Sequence, residues 1–465
     1  MDSTAYDAII IGSGQAGNPL AHKLADRGWQ VALIEKEHLG GSCINYGCTP
    51  TKTMLASARI AHLARRASDF GVETAEVSIR LPEIVARKNR IVQQWREGQL
   101  KQIEKRPSLD LYRGAGRFTG PKTVAVNEVE LSAEHIFINT GTRARILDIP
   151  GLDEVAYLTN RSVMDLTEPP AHLIILGGSY IGLEFGQMFR RFGSRVTIIE
   201  YAGQLIPRED EDVASTLQEV LAGEGISFFL SSRATGVTPD PEGIAVTIRP
   251  DDGDDQTISG SHLLLAVGRT PNTDELNLEA AGIETDEHGY IQVNERLETN
   301  VPGVWALGDV KGGPAFTHIS YDDHLIVYEN LIHGGNRTTG DRLVPYALFT
   351  DPELGRVGMT EKEAREAGHP MKVGTIPMSI VARAIERGET EGLMKIVVNA
   401  KNDRILGAAI LGTDGGELVQ LLMAVMMADA PWTMLEKAVY IHPTLAEGFF
   451  ALMDKVRKID YNQPS

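Results

Sequence analysis

The chain has 465 residues, and its 45 lysines and arginines against 63 aspartates and glutamates give a formal net charge of −18. That length suits two or three domains, and 42% hydrophobic with 23% charged residues excludes wholesale disorder and fibrous repeats. An acidic surface repels phosphate backbones and anionic lipids, so we expect neither nucleic acid nor a membrane as partner, and we expect a small-molecule substrate. The sequence has no apolar run near the ~18 residues of a membrane-spanning helix and no signal-peptide pattern, which favours a cytoplasmic protein.

Residues 7–35 have the pattern of a strand, a glycine-rich turn, a helix and a second strand. The apolar run that ends at Gly12 is typical of a buried parallel strand, and Gly12, Gly14 and Gly17 form the turn. In a dinucleotide-binding unit such glycines let a pyrophosphate approach the amino end of the helix, and an acidic residue about 20 positions later accepts hydrogen bonds from a ribose. Glu35 lies 23 residues after Gly12, so this segment predicts a dinucleotide site.

The same pattern returns over residues 172–200. Gly177 and Gly182 bracket the turn, and Glu200 follows Gly177 by 23 residues, so a second dinucleotide site is predicted. Ser179 stands where the middle glycine is expected and narrows the room for a pyrophosphate against the backbone.

The acidic residue of the second unit also bears on the choice of nucleotide. Glu200 would bond the free ribose hydroxyls of NAD and repel the extra phosphate of NADP. NAD(H) is therefore preferred, but NADP(H) stays possible because Arg195 and Arg208 lie nearby in the sequence.

Other segments complete the organisation of the chain. Residues 87–105 predict a long helix, and residues 111–138 predict a group of strands. From about residue 343 the pattern changes to strands near 394–398 and 405–410 followed by helices, which predicts a further domain.

Two segments suggest metal binding, but each has a simpler interpretation. The acidic run 251–255 lacks the distal glutamate of a calcium loop, so a solvated hairpin tip is predicted. The methionine-rich run 421–427 has helical spacing and is predicted to pack in a dimer core rather than to bind a soft metal. We therefore expect no metal site.

The only two cysteines, Cys43 and Cys48, lie in the run from Gly40 to Lys52. A close pair in an intracellular protein indicates redox chemistry or a metal before a structural staple. Five residues of regular helix rise about 7.5 Å, more than the usual Cα separation in a disulfide, so a bridge needs an irregular first turn, which Gly47 and Pro50 could supply. A helix amino end and Lys52 would favour the thiolate and hence thiol–disulfide exchange. The alternatives are a structural disulfide and half of a zinc site, the latter without a second pair of ligands at suitable spacing.

A specific resemblance to a known family rests on residues 40–52. Their sequence, Gly-Gly-Ser-Cys-Ile-Asn-Tyr-Gly-Cys-Thr-Pro-Thr-Lys, is similar to the redox motif of the class I flavin-dependent pyridine nucleotide-disulfide oxidoreductases, which include dihydrolipoamide dehydrogenase, glutathione reductase and mercuric reductase. The resemblance covers nearly the whole chain. It implies an α/β fold with two Rossmann-like dinucleotide-binding domains, one for FAD and one for NAD(P), and an α+β carboxyl-terminal dimerisation domain. The expected domains are 1–145 and 272–342 for FAD, 146–271 for NAD(P) and 343–465 for dimerisation.

The resemblance also implies which residues hold the two cofactors, FAD and NAD(H) or NADP(H). Lys52 would pair with Glu184 near the flavin, and Tyr180 would cover the nicotinamide pocket. The expected FAD contacts are Gly12, Gly14, Gly17, Glu35, Asp309 and His318. The expected contacts of the nicotinamide cofactor are Gly177, Ser179, Tyr180, Gly182 and Glu200. Thr140, Gly141 and Gly268 are expected to contact a cofactor as well.

Near the carboxyl end, His442 and Glu447 resemble the His-Glu dyad of the family. An imidazole can take a proton from an incoming thiol or give one to a departing thiolate, and a carboxylate can fix its tautomer. In relatives the dyad reaches the cysteines of the partner subunit, so the resemblance implies a homodimer.

The resemblance implies an enzyme that passes electrons from NAD(P)H through FAD to the Cys43–Cys48 disulfide and on to a small disulfide or thiol-reactive oxidant. Cys48 would face the flavin as a thiolate, Cys43 would attack the substrate, and His442 would manage protons.

The substrate is less well defined by the sequence. Residues 349–359 and 376–384 look more like the mercuric reductase branch than like dihydrolipoamide dehydrogenase. However, residues 461–465 lack the terminal cysteine pair of mercuric reductases, and His442 stands where those enzymes usually have tyrosine, which weighs against efficient mercury reduction. Dihydrolipoamide is the principal alternative substrate. A different class also stays open, a flavoprotein that binds NADH as a sensor or passes electrons to quinones or oxygen.

Overall fold

The first sheet is built from the apolar runs at the amino end of the chain, in a computed structural model that describes residues 4–458. The strands of this region are β1 (Thr4–Ile11), β2 (Val31–Glu35), β3 (Leu109–Arg113), β4 (Gly116–Gly120), β5 (Thr123–Val126), β6 (Val129–Ile138) and β7 (Thr142–Ala144). Its helices are α1 (Gly17–Asp26), α2 (Gly41–Tyr46), α3 (Cys48–Arg65) and α4 (Leu81–Glu104). Strands β3, β2, β1 and β6 are parallel neighbours in that order, and β5 and β4 extend the sheet antiparallel. Since parallel strands are covered on both faces, β1 ends in four consecutive buried residues.

The second sheet repeats this construction. Its region contains β8 (Tyr157–Leu158), β9 (His172–Leu176), α5 (Tyr180–Phe192), β10 (Arg195–Ile199), α6 (Glu211–Gly223), β11 (Ile226–Phe229), β12 (Ser232–Asp240), β13 (Gly243–Pro250), β14 (Gln256–Gly260) and β15 (His262–Leu265). The order β11-β10-β9-β15-β8 is parallel throughout. Strands β12, β13 and β14 form a separate antiparallel sheet, and the acidic run 251–255 connects β13 to β14, as the hairpin interpretation predicted.

The chain then returns to the first sheet. This region contains β16 (Arg269–Pro271), α7 (Leu278–Ala281), β17 (Val304–Ala306) and α8 (Thr317–His333). Strand β17 pairs in parallel with β6 and completes seven strands, and β16 pairs with β7. The first nucleotide unit is therefore assembled from two separate stretches of the sequence.

The carboxyl-terminal region forms an antiparallel sheet of order β18-β19-β22-β21-β20-β23. Its elements are β18 (Tyr346–Leu348), β19 (Glu353–Gly358), α9 (Glu361–Glu366), β20 (Met371–Pro377), α10 (Ala382–Glu386), β21 (Leu393–Asn399), β22 (Ile405–Gly412), α11 (Gly415–Met427), α12 (Thr433–Glu436), α13 (Gly448–Asp454) and β23 (Arg457–Lys458). The methionine-rich run lies in α11, with Leu422 and Val425 buried in the core of this region and Leu421 and Met427 exposed. The predicted α/β fold is confirmed, whereas the boundaries at 145, 271 and 342 stay predictions.

A partly buried ionic contact joins all three parts of the molecule. The Asp351 carboxylate accepts from Arg59 Nη1 of α3 at 2.5 Å and from Arg191 Nη1 of α5 at 2.7 Å. These two helices carry Cys48 and Tyr180, respectively, at their amino ends. The contact therefore fixes how the two helices approach each other at the site described next.

Candidate active site

The sequence around the two cysteines folds as two helices interrupted at Gly47. Helix α2 ends at Tyr46 and α3 begins at Cys48, and Gly47 between them has φ −131° and ψ −118°. An ideal Cβ on Gly47 would lie 3.0 Å from the Ser42 carbonyl oxygen, so the turn leaves little room for a side chain. The irregular turn that a bridge requires is present, and Cys43 and Cys48 are free thiols in the structure.

The surroundings of Cys48 stabilise its thiolate. A hydrogen bond from the Cys43 thiol is the largest influence; with the Thr317 hydroxyl and the charge of Lys52 it outweighs burial and lowers the pKa of Cys48 to about 6. The Thr317 Oγ1 lies 3.2 Å from the Cys48 Sγ. The hydrogen bond with Cys48, followed by burial, raises the pKa of Cys43. At neutral pH the two sulfurs therefore differ, Cys48 being ionised while Cys43 keeps its proton.

Lys52, in the second turn of α3, pairs with Glu184 of α5. The Lys52 Nζ lies 2.9 and 2.7 Å from the two carboxylate oxygens of Glu184, which is buried. Phe349 supports both partners, because its backbone N donates to Glu184 Oε1 at 3.0 Å and its ring centroid lies 4.5 Å from the Lys52 Nζ. The structure thus brings together two residues that are 132 positions apart in the chain.

The first glycine turn packs against Asn139, which follows β6. Asn139 Oδ1 accepts from the backbone N of Gly17 at 2.8 Å, and Asn139 Nδ2 donates to the carbonyl of Leu307 at 2.8 Å. An ideal Cβ would lie 2.3 Å from the Asn139 carbonyl oxygen if placed on Gly12, and 2.7 Å from Asn139 Oδ1 if placed on Gly14. Gly12 also has φ +101°, a conformation that strains other residues. Glycine at these positions leaves a surface of backbone groups at the amino end of α1.

Glu35, the last residue of β2, is held firmly beside this turn. Ser13 donates to Glu35 Oε2 from its backbone N at 3.0 Å and from its hydroxyl at 2.6 Å. The backbone N of Glu37 donates to Glu35 Oε1 at 2.8 Å. The carboxylate is therefore fixed in orientation at the carboxyl end of the parallel strands, where α/β folds bind ligands.

A cavity of about 910 Å³ extends from the glycine turn to the cysteines. Asp309 faces it and accepts from the Thr142 hydroxyl at 3.1 Å, and His318 Nε2 lies 2.6 Å from the Pro345 carbonyl oxygen. A cavity of this size suits a large ligand. The predicted site residues in its lining are Gly12, Gly14, Glu35, Cys43, Cys48, Lys52, Thr140, Gly141, Tyr180, Glu184, Asp309 and His318.

The second glycine turn repeats the carboxylate geometry of the first. The backbone N of Gly178 donates to Glu200 Oε2 at 2.6 Å, and the backbone N of Ala202 donates to Glu200 Oε1 at 2.9 Å. Gly177 has φ +109°, and an ideal Cβ on it would lie 2.4 Å from the Ala266 carbonyl oxygen. Most of this unit lies beside the 910 Å³ cavity, whose lining takes from the unit four residues of α5 together with Asn160 and Arg161, which follow β8. The unit's predicted residues outside that lining are Gly177, Ser179, Gly182 and Glu200.

Three further predicted residues are not brought to the cysteines within one chain. His442 and Glu447 do form the dyad, with 2.8 Å between His442 Nδ1 and Glu447 Oε2, and the His442 side chain is 73% exposed. Gly268 has φ +113°, and its carbonyl accepts from the backbone N of Arg145 at 3.0 Å, outside the cavity.

Asn139, Thr317 and Tyr346 also line the cavity, and none of them is among the predicted site residues. Asn139 directly follows a parallel strand, the position at which ligand-binding residues are expected, so this signal could have found it. Thr317 was passed over as the residue before His318, and Tyr346 carries no pattern that distinguishes it.

Comparison with known proteins shows which family the chain belongs to. The family described as pyridine nucleotide-disulphide oxidoreductase matches residues 6–323, and the dimerisation domain of that family matches residues 344–452. The chain belongs to the pyridine nucleotide-disulphide oxidoreductase family. The predicted class, an FAD-dependent disulfide oxidoreductase that uses a pyridine nucleotide, is therefore confirmed, and the dimerisation domain supports the predicted homodimer.

Individual relatives cover nearly the whole chain. The probable pyridine nucleotide-disulfide oxidoreductase RclA of Escherichia coli (strain K12) is 37% identical over 460 residues, which is 97% of this chain and 99% of RclA. The dihydrolipoyl dehydrogenase of Thermus scotoductus is 35% identical, with coverage of 97% and 98%, and the mercuric reductase of Staphylococcus aureus is 33% identical, with coverage of 95% and 81%. Among solved structures, the Cu(II) complex of the HOCl-induced flavoprotein disulfide reductase RclA from Escherichia coli has a TM-score of 0.89 at 36% identity, covering 98% of this chain and all of RclA.

Two features are absent from the described residues, a membrane-spanning helix and a cluster of metal ligands. None of the helices within 4–458 is long and apolar enough to cross a membrane. Across that same part of the chain, no three or more histidine, cysteine, aspartate and glutamate side chains are grouped so that they could hold a metal ion. Residues 461–465, on which the comparison with the mercuric reductase tail depends, lie outside the described residues.

Proposed function

We propose that this enzyme takes electrons from NADH, passes them through FAD to the Cys43–Cys48 disulfide, and reduces a small disulfide or thiol-reactive oxidant. The observation that carries the proposal is that both cysteines, the Lys52–Glu184 pair and the first glycine turn line one cavity. A cytoplasmic location stays a prediction.

The residues of the first nucleotide unit fit FAD. The turn presents backbone where a Cβ on Gly12 or Gly14 would collide with Asn139, so a pyrophosphate can approach it closely. Glu35 and Asp309 supply oriented carboxylates for hydroxyl groups of the cofactor. When bound, FAD accepts a hydride from a reduced nicotinamide and passes the electron pair to a disulfide. Gly17, Thr140, Gly141 and His318 are proposed as further contacts of this cofactor.

The second nucleotide unit is proposed to bind NADH in preference to NADPH. A 2′-phosphate would meet the Glu200 carboxylate, whose two oxygens are held by backbone donors and cannot turn away easily. Tyr180, in the first turn of α5, is the proposed cover of the nicotinamide, with Ser179 and Gly182 beside the pyrophosphate. Gly268 is proposed to lie near the same nucleotide.

The thiols can then reduce a disulfide in two exchange steps. Cys43 gives its proton to the partner subunit's His442 and attacks one sulfur of the substrate as a thiolate. A mixed disulfide forms, and the other sulfur leaves as a thiolate that takes this proton back. The Cys48 thiolate attacks the Cys43 sulfur, re-forms the Cys43–Cys48 bond and releases the second substrate thiol. The low pKa of Cys48 suits the second step, since an ionised sulfur is the nucleophile.

Proton transfer is assigned to the partner subunit's dyad. His442 is exposed and oriented by Glu447, which suits a group that acts across an interface on the Cys43 of the other chain. The test is subunit exchange between Cys43→Ser chains and His442→Ala chains, each inactive alone. Partial return of activity is expected because each heterodimer has one intact composite site. Absence of recovery after demonstrated exchange would contradict the assignment.

The substrate class is tested by turnover. NADH and NADPH would each be tried with lipoamide, glutathione disulfide, other small disulfides, mercuric ion, cupric ion and quinones. Cupric ion is included because a related RclA structure is a Cu(II) complex. Disulfide or metal turnover that disappears in Cys43→Ser supports the proposal. Preference for lipoamide would favour the dihydrolipoamide dehydrogenase alternative, and quinone turnover that survives Cys43→Ser would favour the non-disulfide flavoprotein.

A further inference from the structure

Tyr346 lies in the cavity wall, although the chemistry proposed above gives it no role. It is the first residue of β18, in the carboxyl-terminal sheet, and it lines the same cavity as Tyr180 of α5. A residue of the dimerisation region therefore lies beside the residue proposed to cover the nicotinamide.

Three aromatic rings pack together at this point. Phe316 stacks on Tyr346, with ring centroids 5.3 Å apart and an interplanar angle of 12°. The Tyr180 ring packs edge-to-face against both. Its centroid lies 5.7 Å from that of Tyr346, with an interplanar angle of 86°, and 6.2 Å from that of Phe316, with an interplanar angle of 82°. Stacked and edge-to-face pairs are the favoured arrangements of aromatic rings, so the position of Tyr180 is defined by the other two.

The hydroxyl of Tyr346 is anchored to a buried ion pair. It donates to Glu209 Oε1 at 2.6 Å, and Arg356 Nε donates to Glu209 Oε2 at 3.0 Å. Glu209 is 4% exposed and Arg356 is 1% exposed. A buried pair of charges allows little movement, because separating the partners leaves a charge uncompensated in a dry environment. The ring of Tyr346 is therefore fixed at its hydroxyl end.

This anchor joins two regions of the protein. Glu209 precedes α6 in the second nucleotide unit, whereas Tyr346 and Arg356 belong to β18 and β19 of the carboxyl-terminal sheet. Burial, followed by the charge of Glu209, raises the pKa of Tyr180 to about 12, which places the Tyr180 hydroxyl within the electrostatic reach of the same carboxylate. The cover residue and its neighbour are thus both influenced by one ion pair between regions.

We propose that Tyr346 is a positioning residue of the nicotinamide pocket: anchored by Glu209 and Arg356, it holds the ring of Tyr180 in the orientation that receives the nicotinamide. This inference rests on the proposed nucleotide site in the second unit. It makes the contact between the nucleotide unit and the carboxyl-terminal sheet a determinant of nicotinamide binding.

The test compares two ligands on the FAD-loaded enzyme. NAD⁺ carries the nicotinamide, whereas ADP-ribose has the rest of the molecule without it, and both dissociation constants can be measured by titration calorimetry. Tyr346→Phe removes only the hydroxyl. Losing one hydrogen bond that orders the pocket should weaken NAD⁺ binding about fivefold and leave ADP-ribose binding within about twofold.

Tyr6→Phe is the matched control. The Tyr6 hydroxyl also donates to a carboxylate, Asp110 Oδ2 at 2.7 Å, but on the first sheet and outside the cavity lining. Neither ligand should bind differently to this variant.

A double-mutant cycle separates positioning from a general structural effect. If Tyr346 acts through Tyr180, then Tyr346→Phe should weaken NAD⁺ binding in the wild-type background and have no further effect in Tyr180→Ala. Unchanged NAD⁺ binding in Tyr346→Phe, or equal weakening of NAD⁺ and ADP-ribose, would overturn the inference. Failure of the unmodified enzyme to bind either ligand would instead overturn the proposed nucleotide site.

Discussion

The glycine turns at Gly12 and Gly177 begin in the same way. An ideal Cβ on the first glycine would lie 2.3 Å or 2.4 Å, respectively, from a backbone carbonyl oxygen, and both glycines have positive φ. In both units the backbone N of the next residue donates to the acidic side chain at the end of the second strand, Glu35 or Glu200. Equal spacing in the sequence has therefore produced equal local geometry.

What supports the two turns is different. The Asn139 side chain links Gly17 of the first turn to Leu307, just before the segment that carries Asp309. The second turn rests on backbone near Ala266 and has a serine at its middle position. A turn linked by a side chain to a distant segment suits a cofactor that stays bound, whereas a turn without this link suits one that exchanges in every cycle.

Replacement of the first glycine should have the largest effect and should separate the two turns. Gly12→Ala forces a Cβ into the Asn139 carbonyl at φ +101°, so we expect FAD binding to weaken by more than about tenfold. Gly177→Ala meets the same strain against Ala266, and we expect it to keep FAD but to lose NAD⁺ binding to a similar degree. The flavin content per chain and NAD⁺ calorimetry measure the two effects. Loss of flavin in both variants would mean that the units do not bind their ligands separately.

Removal of the supporting side chain tests the difference directly. Asn139→Ala takes away two buried hydrogen bonds, at about 1–3 kcal/mol for each group left unsatisfied, so FAD should be released more readily while the NAD⁺ dissociation constant stays unchanged. Asn330→Ala is the control, because Asn330 likewise bonds a backbone N and a backbone carbonyl, both of Arg337 and both at 2.8 Å. Equal flavin loss in the two variants would show that Asn139 has no special role in the first turn.

Replacement of the two carboxylates should have a smaller effect, and one confined to the choice of nucleotide. Glu200→Gln removes the negative charge that opposes a 2′-phosphate, so the preference for NADH over NADPH in kcat/KM should fall by about tenfold. Glu35→Gln, in the equivalent position of the first unit, should leave that ratio unchanged. A native enzyme that already prefers NADPH would show instead that Arg195 or Arg208 controls this pocket.

The smallest effect is expected at the middle position of the second turn. Ser179 has φ −110° and ψ −170°, an ordinary extended conformation, so Ser179→Gly should change NAD⁺ binding by no more than about threefold. Gly14→Ser, at the matching position of the first turn, brings a Cβ within 2.7 Å of Asn139 Oδ1 and should weaken FAD binding more than that. Equal, small effects at both positions would remove the distinction between the turns.

Much of this fold follows from local pattern. The spacing from Gly12 to Glu35 and from Gly177 to Glu200 indicates a strand, a tight turn and a helix. Each of these elements is formed by residues that are neighbours in the sequence. The residues around Cys43 and Cys48 likewise carry their own irregular turn at Gly47. These features could be predicted because the residues that form them are close together in the sequence as well as in space.

The remainder depends on contacts between distant residues. Asn139 meets Gly17 across 122 positions, and Tyr346 meets Glu209 across 137. The position of Asn139 after a strand marks it as a candidate ligand residue, but no local pattern shows which residue either of these side chains pairs with. The pairing of Lys52 with Glu184 is equally distant and was expected only from the family resemblance. Tertiary packing, rather than local propensity, decides these contacts.

We propose that electrons from NADH open the Cys43–Cys48 disulfide, and a count of free thiols tests this claim. The oxidised holoenzyme would receive one equivalent of NADH without oxygen, and alkylated cysteines would be identified by mass spectrometry over a range of pH. Because the pKa of Cys48 is lowered to about 6, its thiolate persists above that pH and is lost as the pH falls through it, so the alkylation rate of Cys48 should be half-maximal near pH 6 and that of Cys43 at higher pH. We expect two new thiols per chain. Reduction of the flavin without any new thiol would contradict the claim.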